Sequence, residues 1–233
     1  MKIAILCDTH CGIRNSSEVF LDNAEDFYTN IFFPECQKQG ITQILHLGDY
    51  YDHRKFVNFK ALNQNRRVFL DQLRKNNMMM DIIPGNHDTY YKNTNELNSL
   101  KECLGHYMNE IHIVMEPTVM QYGSLSMGLL PWICADNYDQ SMNFIRDCKA
   151  DWLGAHLELS NFEIGRGIMA HSGMDPKLFQ KFEQVLSGHY HTASRRDNIW
   201  YLGNPMEFFW SDAHDPKYFH ILDTETRQIE KIK

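Results

Sequence analysis

The 233-residue sequence contains no apolar run that approaches the length of a membrane span. Its N-terminal apolar stretch, residues 3–7, is far too short for the core of a signal peptide. No two of the six cysteines (Cys7, Cys11, Cys36, Cys103, Cys134, Cys148) form a C-x-x-C pair, so neither a zinc ribbon nor a disulfide framework is suggested. A reduced, intracellular compartment, the cytoplasm, is the simplest reading. Linkers, internal repeats and low-complexity tracts are also missing. Positive charge is in short supply: 23 Lys and Arg against 30 Asp and Glu give a net charge of −7. That balance argues against a broadly basic nucleic-acid-binding face. It leaves room for a nucleic-acid enzyme, because bound divalent cations can supply positive charge where a phosphate sits.

The remaining composition, 43% hydrophobic and 23% charged, is that of a globular protein with a substantial core. Residues 2–7, 43–47 and 78–83 read as short, fully buried strands. Between them, residues 16–40 and 59–75 carry helical periodicity, the first with Ser16 or Ser17 as N-cap and with Pro34 expected to kink or split it. Strand, helix, strand, helix, strand implies a parallel sheet with helices across its faces. From residue 111 the pattern changes. Short runs at 111–115, 119–122 and 125–130, divided by Pro117 and Gly123-Ser124, suggest a hairpin-rich second sheet. A helix is expected over 139–149 and another over 176–182, with strands at 151–155, 167–170, 185–186, 199–202 and 218–222. One α/β domain over residues 1–233, built on two packed mixed β-sheets flanked by helices, is the expected architecture.

Twelve histidines exceed chance expectation, and several stand where an apolar run stops. Gly85-Asn86-His87-Asp88 is the most specific such stop, since asparagine beside histidine suits a hard or borderline ion and a phosphate oxygen. Asp8-Thr9-His10, Gly48-Asp49-Tyr50-Tyr51-Asp52 and Gly188-His189-Tyr190-His191 repeat the arrangement. On an extended segment Asp8 and His10 would point to one side, as would His189 and His191. Asp49 has two carboxylate oxygens and could bridge two cations. His156 and His171 each follow a short apolar run, and His156 is favoured, mostly on the resemblance drawn next. His53 and Arg54, following the Asp49 loop, are candidate substrate-binding residues. Ligands gather at the carboxyl ends of parallel strands, where Asp8, Asp49 and Asn86-His87 all fall.

The set D-x-H, G-D-x-x-D, G-N-H-D, a single His and G-H-x-H, in order from Asp8 to His191, resembles the calcineurin-like metallophosphoesterase superfamily. Within it, residues 48–54, Ala155-His156-Leu157-Glu158 and Tyr201-Leu202-Gly203-Asn204-Pro205 are similar to the SbcD-type DNA-repair nucleases, most closely bacteriophage recombination nucleases. The resemblance implies a four-layer sandwich. It also implies one ion on Asp8, His10, Asp49 and His191, and a second on Asp49, Asn86, His156 and His189. His87 would stabilise the transition state or donate a proton, with Asp88 or Asp52 orienting it. Two Mn²⁺ ions are implied, with Mg²⁺ as a substitute, acidifying a shared water that attacks phosphorus in line. DNA is the implied substrate, an SbcC-type, SMC-like ATPase the implied partner, and a homodimer through the early helices the implied assembly. The aromatic residues Phe20, Phe27, Phe32 and Phe33 suggest the same dimer face. Such nucleases usually continue into a DNA-contacting cap. No separate capping domain is expected here, so duplex binding by this chain alone is expected to be weak.

A phosphomonoesterase or cyclic-nucleotide phosphodiesterase on the same scaffold is the competing enzyme reading. A non-enzymatic scaffold is disfavoured by the intact five-motif set. Phe208-Phe209-Trp210 reads as core packing ahead of a base-stacking or docking surface.

Overall fold

The computed structural model describes residues 1–165 and 167–233. Fourteen strands are seen among these residues: β1 (Lys2–Leu6), β2 (Gln43–His46), β3 (Met79–Ile82), β4 (Ile111–Ile113), β5 (Thr118–Tyr122), β6 (Leu125–Leu130), β7 (Trp152–His156), β8 (Glu163–Gly165), β9 (Ile168–Met169), β10 (Gln184–Gly188), β11 (Ser194–Arg196), β12 (Ile199–Tyr201), β13 (Phe219–Asp223) and β14 (Gln228–Ile232). One six-stranded sheet runs β14-β13-β1-β2-β3-β4, and a second runs β11-β12-β10-β7-β6-β5. β1 to β4 pair in parallel, with β13 antiparallel on the β1 side. The second sheet is parallel across β6, β7, β10 and β12, with antiparallel strands only at its two edges.

Because side chains alternate between faces and both faces of each sheet are covered, the central strands β1, β2, β6, β7 and β10 are buried along nearly their whole length. Ile3 and Ile5 point between the sheets, where they meet Met127, Leu129, Leu186 and Leu222. Ala4 and Leu6 point the other way, into a core shared with the helical segments at 18–38 and 59–75. The outer face of the second sheet packs Leu153, Ala155 and Val185 against Ile145 of the helix Tyr138–Asp147. Helices, sheet, sheet and helix therefore form four layers. No described helix is long and apolar enough to cross a membrane.

Several expectations need correction. Residues 111–113 join the first sheet beside β3, because the helix Ser99–Leu104 provides a crossover that returns the chain parallel. Among the described residues the second sheet thus has a hairpin at each edge, the long β5–β6 and the short β11–β12, around a parallel centre. The strand expected over residues 218–222 forms, and it closes the first sheet against β1. Only a single 3₁₀ turn, Pro176–Phe179, forms where a helix was expected. Pro34 does not split its helix: π-helical Phe27–Phe32 leads into α-helical Phe33–Lys38, with the proline in the first turn, where its missing N–H is tolerated.

A second π-helical segment, Arg66–Leu70, packs against the first, with the Tyr28 and Phe69 rings 4.8 Å apart. Phe27, Phe32 and Phe33 are buried there, and Phe32 also meets Phe219 at 5.0 Å. The aromatic surplus of this helix therefore fills the core and gives no support to a dimer face. Phe32→Ala is expected to destabilise the fold by about 3–5 kcal/mol, the range for a buried aromatic truncation. Urea unfolding followed by circular dichroism checks it, and a loss below about 1 kcal/mol would contradict this packing.

Candidate metal centre

The parallel pairing does not stop where the strands do. Asp8 N–H donates to the Gly48 carbonyl at 3.0 Å, and His10 N–H to the Asp49 carbonyl at 3.1 Å. This continued register carries the loops after β1 and β2 out of the sheet together. The chain there is not extended, contrary to expectation: Asp8, His10 and Asp49 have φ of 51°, 43° and 54°, and His189 has 93°. Left-handed non-glycine residues cost on the order of 1–3 kcal/mol each and persist only where their surroundings hold them. Here they are held by hydrogen bonds between loops. His87 N–H donates to Asp49 Oδ1 at 2.7 Å, and His189 N–H to the Asp8 carboxylate at 3.0 Å. The loops approach so closely that Gly85 has no room for a side chain, since a Cβ would lie 2.2 Å from Asp49 Oδ1.

Two groups of donors result. Asp8, His10 and His191 form one, and Asp49, His156 and His189 the other, with donor atoms in each within 4.8 Å of one another. In the first, His10 Nε2 and His191 Nε2 are 3.0 Å apart. Donors sharing an ion at about 2.1 Å lie roughly 3.0–3.4 Å from each other, so this spacing fits a bound cation. In the second, His156 Nε2 and His189 Nδ1 stand 3.1 and 2.9 Å from Asn86 Oδ1. Asp49 Oδ2 lies between the groups, 3.4 Å from His156 Nε2 and 3.8 Å from His10 Nε2. His156 Nδ1 donates to the Leu47 carbonyl at 2.8 Å, which turns the Nε2 lone pair inward. His10 Nδ1 lies 3.3 Å from the Asp52 carboxylate without meeting hydrogen-bond geometry. Buried carboxylates, one amide oxygen and imidazoles, with no thiolate, make a donor set suited to a divalent cation.

The sequence-predicted residues outside these groups take distinct places. His87 packs edge-on to His10, with ring centroids 4.9 Å apart, and its Nδ1 donates to the main-chain carbonyl of Asp52 at 2.6 Å. The orienting contact thus comes from the Asp52 backbone and not from either carboxylate. A third donor grouping, His10, Asp52 and His87, lies within the same 4.8 Å range. Asp88 is fully buried and accepts from Gly85, Tyr50 and Tyr51 N–H at 2.9, 3.0 and 3.1 Å. It ties the Asp49 and Asn86 loops together from beneath and makes no contact with the His87 ring. His53 is exposed and stacks on Phe56 at 3.7 Å. Arg54 has a buried Nη1 without a hydrogen-bond acceptor among the described residues. His171 is exposed on a wide basin it shares with His189 and His191, whereas His156 is buried inside the donor group. Of the aromatic triplet, Phe208 is core as expected, but Trp210 is 93% exposed.

Two residues at the site escaped the sequence reading. The Lys217 ammonium is largely buried, donating to the His191 carbonyl at 3.1 Å, Asn204 Oδ1 at 2.7 Å and Asp215 at 2.9 Å. Trp132 walls the second donor group, its ring 5.4 Å from His189 and 5.9 Å from His156. Neither lies in a motif. Only the Pro131-Trp132 step after β6, a strand ending at the same sheet edge, hinted at the tryptophan.

Electrostatics follow from burial. Burial opposes charge on Asp49, but His156, His10 and His87 overcome it and hold this carboxyl well below the usual range. Burial pushes Asp8 up. Burial lowers His156 less than Asp49 and Asp8 raise it, leaving it at about 9. Burial and the neighbouring His156 take His189 down to about 3. Without a cation, then, a proton on His156 balances Asp49, and a cation must displace it. Because the folded value lies above the ordinary 6.5, this ion pair stabilises the metal-free protein fully below pH 6.5 and is lost as pH rises through about 9. The chelator-treated protein is expected to lose melting temperature between about pH 6.5 and 9.5 faster than the metal-loaded one. Metal uptake near neutral pH is expected to release protons, readable by calorimetry in buffers of different ionisation enthalpy. Gly85→Ala is expected to displace Asp49 and lower metal stoichiometry, checked by elemental analysis of the purified variant.

Residues 1–193 match the family of calcineurin-like phosphoesterases. Exonuclease subunit 1 of Enterobacteria phage T4 is 31% identical over 232 residues, which cover 100% of this chain and 67% of that protein. Among solved structures, the protein TT1561 of Thermus thermophilus superposes with a TM-score of 0.54 at 10% identity, over 99% of this chain and 97% of that one, and shares the two-sheet fold. An archaeal phosphodiesterase overlaps more loosely, at a TM-score of 0.49 and 16% identity over 100% of both chains. With the family match spanning the whole donor set, the chain belongs to the calcineurin-like phosphoesterases and is a metal-dependent phosphoester hydrolase.

Proposed function

We propose that the chain is a DNA nuclease, the hydrolytic subunit of a recombination and repair complex, working with two Mn²⁺ ions and accepting Mg²⁺ in their place. The observation that carries the reading is that similarity to a phage exonuclease subunit runs the full length of the chain and coincides with a complete double donor set. A single nuclease domain over residues 1–233, acting in the cytoplasm beside an SbcC-type ATPase, belongs to the same proposal. The word subunit in the phage relative's name supports a complex.

Asp8, His10, Asp49 and His191 would hold one ion, and Asp49, Asn86, His156 and His189 the other. Bound there, the ions would generate the water nucleophile and neutralise charge on the phosphoryl oxygens. The chain's own groups prepare the site for this. Asp49 stays ionised and points one oxygen between the groups, while the Leu47 carbonyl holds the His156 Nδ1 proton, so that Nε2 is the nitrogen offered to an ion that displaces its proton. Trp132 walls one side of the second donor group. His87, fixed through Nδ1 to the Asp52 carbonyl, would present Nε2 to the phosphoryl group, stabilising the transition state or protonating the leaving oxygen. Asp88 would serve by holding the two loops in register, and His53 and Arg54 by contacting the substrate beside them.

His87→Ala is expected to reduce Mn²⁺-dependent cleavage of single-stranded and duplex DNA about 10²–10⁴-fold, the usual contribution of a positioned acid–base group. Metal content should stay unchanged. An assay with both DNA forms and a small chromogenic phosphodiester checks it, and wild-type turnover of the small ester alone would favour the small-substrate phosphoesterase reading.

A further inference from the structure

Resting on the nuclease reading, we infer that Arg14 binds a phosphate of the substrate strand beside the cleaved linkage. Arg14 opens a left-handed turn, with φ of 55°, 56° and 58° at Arg14, Asn15 and Ser16, shortly after His10 in the chain. Three successive non-glycine residues in this region are strained, and such strain gathers at sites that hold a side chain for use. The turn sets the guanidinium over the Phe209 ring, 4.7 Å from its centroid, while Nε donates to the Phe208 carbonyl at 3.1 Å. Phe209 in turn stacks on the candidate ligand His191, 5.8 Å between centroids and 23° between planes. Arg14 is thus one ring removed from the donor groups, and it is exposed.

Its charge is not answered by a carboxylate among the described residues. Arg67, Arg74, Arg146, Arg196 and Arg227 each face one within 4.0 Å, whereas Arg14, like Arg54, Arg66 and Arg195, has none at that distance; of these four it is Arg14 that lies over the ring stacked on His191. Of the acids flanking Phe209, Glu207 makes no ion pair with Arg14 within 4.0 Å, and Asp212 is committed elsewhere: it accepts from Phe208 and Phe209 N–H at 2.8 and 3.1 Å and faces Lys217 at 3.5 Å. In a chain with seven more acidic than basic residues, a guanidinium held in place without a carboxylate selects for an external anion. Nε is used, so the two terminal amino groups form the free edge of the fork, which matches two phosphate oxygens. Successive phosphates of a strand advance only about 3.4 Å along a duplex axis, so a strand with one phosphate at the donor groups would have a neighbouring phosphate to offer to a guanidinium one ring away.

The test uses the Mn²⁺-loaded protein and a fluorescent single-stranded oligonucleotide over a series of salt concentrations. Arg14→Met keeps packing on Phe209 and removes the charge, whereas Arg14→Lys keeps the charge. Arg14→Met is expected to raise KM several-fold, more than it lowers kcat, and to reduce the slope of log KM against log salt by about 0.7, one phosphate contact on a single strand. Arg14→Lys is expected to restore the wild-type slope. An unchanged slope and KM in Arg14→Met, or a fall in kcat accompanied by lost metal, overturns the inference while leaving the nuclease reading standing. A wild-type protein that cuts no DNA at any salt overturns both.

Discussion

An anion without water governs this structure. Asp49 is almost wholly buried, and a carboxylate in that position is tolerable only if charge and hydrogen bonds are brought to it. His87 N–H, His156 and His10 supply them from three directions. The surrounding features answer the same need. Parallel strands end together so that their loops can converge, Gly85 lacks a side chain so that its loop can touch the carboxylate, and Asp88 braces both loops from below. A hydrolase of phosphate esters must concentrate positive charge in one small space, and this fold does so by first fixing the negative charge that attracts it.

What the sequence made legible follows from what its residues have to do locally. Strands buried on both faces are continuous apolar runs, so β1, β2 and β3 stood out, and the polar residues that end them stood out with them. Ligand types were readable for the same reason. β14 was not, because an edge strand with mostly exposed residues has no apolar signature. Which sheet β4 and β13 join depends on partners far along the chain, and nothing in three or five residues records that. His156 and His171 looked alike in sequence, yet the first ends a five-residue central strand and the second follows a two-residue ribbon at the surface.

Side-chain direction was the least legible property. Asp88 was expected near the His87 ring, but the tight turn from Gly85 sends its carboxylate to backbone N–H groups instead. The left-handed conformations of Asp8, His10 and Asp49 are not marked by glycine, and although aspartate and histidine enter that region more readily than most residues, most copies of either do not. Lys217 reaches the His191 carbonyl across 26 residues, and only the folded chain reveals it.

The two donor groups do not come from one sheet. Asp8, His10, Asp49 and Asn86 follow strands of the first, whereas His156, His189 and His191 belong to the second. Bound ions would therefore act as rivets through the seam between two plates, which are otherwise joined by the apolar layer of Ile3, Ile5, Met127, Leu129 and Leu186. Sliding of one plate against the other would be sensed directly at the rivets. Side chains such as Leu129, far from any phosphate, thereby acquire a share in setting how tightly the ions are gripped.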